Sequence, residues 1–171
     1  MDIEKDTYKV LHDFITQAIG EKPYLMEEGF VRPNGGYVAC KLMNVNKLTT
    51  GSHRMPPTDP SGVERFAVEM LLRWHIHAYR EMSIEKLTAI AYRLNDRNVR
   101  SILSDGGLGY KGHSQITQTT ISRDGVEREK QAYFVVDFYY VYEDTVFVGK
   151  EVPSVIEEAE GVAPDLKSIG E

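Results

Sequence analysis

At 171 residues, with 42% hydrophobic and 27% charged side chains, the chain has the makeup of one folded domain and lies far from the disordered class. Its 20 basic and 26 acidic residues leave a net charge of −6, and no segment is dense in Lys and Arg, which excludes a generic surface for wrapping nucleic acid. A single cysteine, Cys40, excludes an intrachain disulfide, and no stretch approaches the roughly 18–20 apolar residues of a membrane span.

The charged opening, Met1 to Asp6, lacks the apolar core of a signal peptide, so a cytoplasmic origin is expected. From about Glu4 to Ile19, Val10, Leu11, Phe14, Ile15, Ala18 and Ile19 recur at helical spacing, with Gly20 as the stop. Glu21 to Pro33 reads as a loop or short edge strand, and Asn34-Gly35-Gly36 as a turn. Tyr37 to Val45 alternates as a strand. Thr49 to Gly62, with three prolines and two glycines, predicts a long loop of the kind that often carries function.

The clearest strand follows. Phe66, Val68, Met70, Leu72, Trp74, Ile76 and Ala78 are apolar at alternate positions, and Glu69, Arg73, His75 and His77 lie opposite. Period two sustained that long means a long strand with one buried face. Ser83 is placed as the cap of a helix with Ile84, Leu87, Ile90, Ala91 and Leu94 on its apolar stripe. The helical pattern restarts after Asp96 and ends at Asp105-Gly106-Gly107. A polar strand, roughly Tyr110 to Ser122, then turns at Asp124-Gly125 into a return strand from Glu129 to Tyr142. That strand is apolar on both faces, which fits a central strand or one whose second face meets a helix or another subunit. Val146 to Val162 is expected to form a short strand and a turn or helix. The sum is a single α+β domain over residues 1–162, a mainly antiparallel sheet with helices packed on one side, followed by a flexible tail at 163–171.

Few residues carry chemistry. His75-x-His77 on a strand would point two imidazoles to one side, as a metal site requires, yet zinc needs three or four ligands and two histidines on an amphipathic face explain the pattern more simply. Asp137 sits in the apolar run Tyr133 to Val141, where it would serve as an acid of raised pKa or, more simply, pair with Arg73 or Arg93. Asp105-Gly106-Gly107-Leu108-Gly109 follows a helix and lacks the closing Lys-Ser or Lys-Thr of a phosphate loop. Cys40, in an apolar run, reads as a core residue. The expectation is no enzyme, no cofactor and no metal site.

Taken in order, several blocks resemble the phage neck or tail terminator proteins. They are Tyr8-Lys9-Val10-Leu11-His12-Asp13-Phe14-Ile15, Asn34-Gly35-Gly36-Tyr37-Val38-Ala39, the strand Glu64 to Tyr79 and the helix Ile84 to Leu94. The most telling is Glu127-Arg128-Glu129 leading into Ala132-Tyr133-Phe134-Val135-Val136-Asp137-Phe138-Tyr139-Tyr140, closed by Val155-Ile156-Glu157. The resemblance spans roughly Tyr8 to Gly161. It implies a virion protein made in the host bacterial cytoplasm, a ring of commonly six copies that caps the tail tube and meets the head connector. A head-completion adaptor or a tail-tube factor is the neighbouring alternative. DNA would pass through such a ring without specific binding, which a net charge of −6 favours. Partner contacts are expected at the loop Thr50 to Gly62 with His53 and Arg54, at the polar strand around His113 and Gln115, and at Tyr139.

Overall fold

The computed structural model describes residues 2–27, 29–48, 53–55, 63–123 and 127–147. Helix α1 (Ile3–Ile19) starts where the Asp2 carboxylate accepts from the Lys5 amide, 3.3 Å away, and carries Glu4 and Asp6 in its first turn, the sign the helix dipole favours. It stops at Gly20, whose φ of 73° is one that residues with a Cβ adopt at a cost, and whose amide returns to the Thr16 carbonyl. The strands are β1 (Tyr24–Leu25), β2 (Tyr37–Lys47), β3 (His53–Met55), β4 (Val63–Tyr79), β5 (Leu108–His113), β6 (Thr117–Arg123) and β7 (Glu127–Phe147). Between β4 and β5 lie α2 (Ser83–Leu94) and α3 (Arg97–Asp105).

Among the described residues all seven strands join one sheet in the order β1-β2-β4-β7-β5, with β3 added to β4 and β6 to β7. Every pairing is antiparallel except the two-residue β1, which runs parallel to β2. The β4–β7 ladder is the backbone of the fold, running in unbroken register from Val63↔Phe147 to Tyr79↔Gln131. One sheet face is covered by the three helices. Met70, Leu72, Trp74, Ile76 and Ala78 of β4 and Ala132, Phe134, Val136 and Phe138 of β7 pack there against Leu11, Phe14 and Ile15 of α1, Leu87, Ile90 and Leu94 of α2, and Val99 and Leu103 of α3. Cys40 is fully buried in the same core, so burial pushes its thiol pKa up. The domain class and the helices on one side are as the sequence leads one to expect.

Three local features differ. Ser83 is the first helical residue of α2 and not its cap. The cap position is Met82, left-handed at φ 56°, and it makes no side-chain capping bond. The polar strand is two strands, β5 and β6, interrupted at 114–116. At the interruption the Ser114 hydroxyl accepts from the Val135 amide while the Ser114 amide donates to the Val135 carbonyl, so β7 keeps its edge bonds satisfied across the gap. The long loop contains the strand β3, whose backbone pairs with Arg65 to Ala67. Residues 49–52 and 56–62, the expected turn at 124–126, and everything after 147, including the expected tail at 163–171, lie outside the described residues.

Candidate functional site

Strand periodicity places Leu71, Arg73, His75, His77 and Tyr79 of β4 on the face away from the helices, beside Gln131, Tyr133, Val135, Asp137, Tyr139 and Val141 of β7. One end of this face is closed by the chain itself. Met26 and Phe30 pack on Tyr37, Ala39 and Tyr79, and the Tyr37 and Tyr79 rings stack with centroids 4.7 Å apart. A polar clamp holds that covering segment in place. The Glu129 carboxylate, its side chain 6% exposed, accepts from Arg80 Nε at 2.8 Å and from Arg32 Nη1 at 3.4 Å, and Arg80 Nη1 also donates to the Pro33 and Gly35 carbonyls. Arg80 holds a left-handed backbone, φ 64°, with its amide donating to the Lys130 carbonyl.

Next along the face is a ladder of rings. His77 stacks on Tyr79, His75 stacks on Tyr133, and Tyr133 also contacts His77. Gln131, itself buried, donates its amide to His77 Nδ1, which leaves the ring proton of neutral His77 on Nε2. Burial, then the His75 and Lys41 charges, lower the His77 pKa to about 4, and burial with Arg73 and Lys41 lowers that of His75. Both imidazoles are therefore neutral at pH 7. Among the described residues no group of three or more His, Cys, Asp or Glu is placed to hold a metal. The two histidines instead pack as half-buried rings, one of them already engaged by Gln131.

Asp137 resolves the choice between the two arginines. It accepts two bonds from Arg73, Nε at 2.9 Å and Nη2 at 3.0 Å, across the register pair Arg73↔Asp137, whereas Arg93 pairs with Asp96 on the helical side. The bonds from Arg73 lower the Asp137 pKa, with a smaller contribution from Lys111. That overturns the idea of an acid with a raised pKa. The group is a fixed carboxylate, and a proton donor at neutral pH is not available from it.

Beside this pair the face opens into a groove of about 530 Å³, lined by Arg73, His75, Lys111, Gly112, His113, Ser114, Val135 and Asp137. The structure thus brings together His75, His113 and Asp137 from the candidates. Lys111 Nζ lies 5.8 Å from the centre of the Tyr139 ring, and Tyr139 and Val141 are 46% and 50% exposed. His113 ends β5, its ring edge-on to Phe134 and bonded to the Tyr110 hydroxyl. Gln115 is exposed in the gap between β5 and β6. His53 and Arg54 are placed only by their backbone, in β3 opposite Ala67 and Phe66, and their side chains lie outside the described part.

Lys41, Lys111, Gln131 and Glu129 were not anticipated in sequence. Lys111 had a weak local signal, Lys111-Gly112 in a β-strand, which the register shift between Tyr110 and Gly112 turns into a bulge. Gln131 and Glu129 act through partners about fifty residues or more away, where local spacing carries no information.

Among the described residues no helix is long and apolar enough to cross a membrane. No curated protein matches the chain. Residues 5–165 match the family described as phage neck terminator protein.

Proposed function

Since the chain belongs to the phage neck terminator family, a structural family of the virion neck, we propose that it caps the tail tube there as a closed ring, of six copies, and joins the tube to the head connector. The observation that carries this proposal is the open sheet face. Its central strand β7 presents Tyr139 and Val141 half-exposed beside Lys111, with the helices all on the other side. A half-apolar, half-charged face rich in tyrosine is suited to contact with protein. His53, Arg54, His113 and Gln115 extend the same role to β3 and to the strand gap at the sheet edge.

The tail tube protein and the head-connector proteins are the axial partners. DNA passes through the lumen without specific binding, in keeping with a net charge of −6. No catalytic step is assigned. Asp137 is held ionised by Arg73, and the two histidines are neutral and packed among rings.

Negative-stain electron microscopy over a concentration series, with native mass on the same samples, tests the ring. Closed rings with a DNA-sized hole are expected. A monomer that also fails to assemble on isolated tails overturns the proposal, and rings that bind heads in preference to tails shift the role to a head-completion adaptor.

A further inference from the structure

Around His75 the open face carries more positive than negative charge. Lys41 stands opposite His75 in the β2–β4 register, and Arg73 and Lys111 line the groove beside it, with Asp137 as the one carboxylate of that lining. Arg73 is engaged by Asp137 through two bonds, whereas Lys111 meets the Tyr139 ring and acts on Asp137 only through space, with no salt bridge of its own among the described residues. The imidazoles sense the surplus, since Arg73 and Lys41 add to burial in lowering the pKa of His75. Next to these cations lie the half-exposed Tyr139 and Val141. Such a surface fits an extended segment that alternates carboxylates with apolar side chains.

The chain contains such a segment. Residues 151–160 read Glu-Val-Pro-Ser-Val-Ile-Glu-Glu-Ala-Glu, with Glu151, Glu157, Glu158 and Glu160 and no Lys or Arg, and with Val152, Val155 and Ile156 between them. Pro153 biases the residue before it toward an extended backbone. Strand β7 carries the chain away from its own groove, since Asp137 to Phe147 spans about 33 Å at roughly 3.3 Å per residue. The described end of the strand, at Phe147, thus lies far along the sheet from the Lys111 of its own subunit.

We propose that residues 151–160 of one copy dock in the groove formed by Arg73, Lys111, Val135 and Asp137 of a neighbouring copy, against Tyr139. Groove and segment are unlike patches on one chain, and unlike complementary patches give a head-to-tail contact, which closes into a ring where the rotation between copies allows and otherwise extends as a filament. This inference rests on the ring proposed above and supplies its subunit contact.

Carbodiimide cross-linking of the full chain, from an equal mixture of light and nitrogen-15-labelled protein, reads the contact directly. Lys111 is expected to form an amide with Glu157, Glu158 or Glu160, and hybrid light–heavy cross-links are expected among the products. Lys111→Glu is expected to weaken self-association roughly tenfold, and combining it with Glu158→Lys to restore it. No cross-link from Lys111 to this segment overturns the proposal, as do cross-links confined to same-isotope pairs, which would place the segment on its own subunit. Failure of the second charge reversal to rescue the first does so too. Electron microscopy of the same samples reads the ring separately. Rings without the Lys111 cross-link reject the contact alone, and hybrid cross-links in an open oligomer reject the ring alone.

Discussion

Replacing Arg80 with Ala should strand the Glu129 carboxylate, whose side chain is 6% exposed and which would keep only the Arg32 contact at 3.4 Å. The substitution removes a charge-assisted bond of 2.8 Å to Glu129 and the two bonds that Nη1 donates to the Pro33 and Gly35 carbonyls. Breaking a buried pair on one side costs about 3–5 kcal/mol. Arg80 is itself 27% exposed and Arg32 remains to share the charge, so the lower end, about 3 kcal/mol, applies here. Trp74 is the one tryptophan of the chain and is fully buried, so urea unfolding followed by its fluorescence reads the whole domain. Arg80→Ala combined with Glu129→Ala removes both charges and should recover part of the loss, roughly 1–2 kcal/mol. An Arg80→Ala cost below about 1 kcal/mol, or a double substitution as damaging as the sum of the singles, would refute the clamp.

Three further outcomes follow from particular contacts. The folded His77 pKa of about 4 lies below the ordinary 6.5, so the unfolded chain binds the proton first. The His77 contribution is complete above pH 6.5 and is lost as the pH falls through about 4, on the order of 1–3 kcal/mol once its partial exposure is allowed for. Histidine NMR titration should show it, and a His77 pKa at or above 6.5 rules it out. A Cβ on Gly106 would clash with the Val10 methyls, and Val is stiff, so Gly106→Ala should destabilise by about 1–3 kcal/mol and Val10→Ala should relieve much of that in thermal unfolding. The Cys40 thiol is buried and its pKa is raised, so it should resist a thiol reagent in the native protein and react at the rate of unfolding; fast native labelling contradicts the placement.

What could be read from the sequence was whatever depends on local period. The alternation from Phe66 to Ala78 announces one buried face, and Met70, Leu72, Trp74, Ile76 and Ala78 occupy it. The spacing of Leu11, Phe14 and Ile15 likewise predicts the buried side of α1. Long-range partners decide the rest. Arg73 and Arg93 were equal candidates for Asp137 until the β4–β7 register placed Arg73 opposite it. Ser83 has the chemistry of a cap, but the left-handed Arg80 and Met82, anchored at Arg80 by Lys130 and Glu129, start α2 one residue earlier in the path. The Ser114 hydroxyl standing in a β-ladder has no counterpart in strand propensity, so one polar strand was expected where there are two. Apolar residues on both sides of β7 fit a central strand or one with a second covered face, and β7 is central, between β4 and β5. In the described fold Tyr139 and Val141 on that second face stay open, while Met26 and Phe30 cover Tyr37, Ala39 and Tyr79 of the neighbouring β2 and β4.

Cryo-electron microscopy of particles that carry a tagged copy of this chain tests the neck assignment most directly. The tag is expected as a ring of density at the head-proximal end of the tail tube, with tails detached or of irregular length when the chain is withheld. Tag density confined to the capsid or the distal tip, or normal joined particles assembled without the chain, would contradict it.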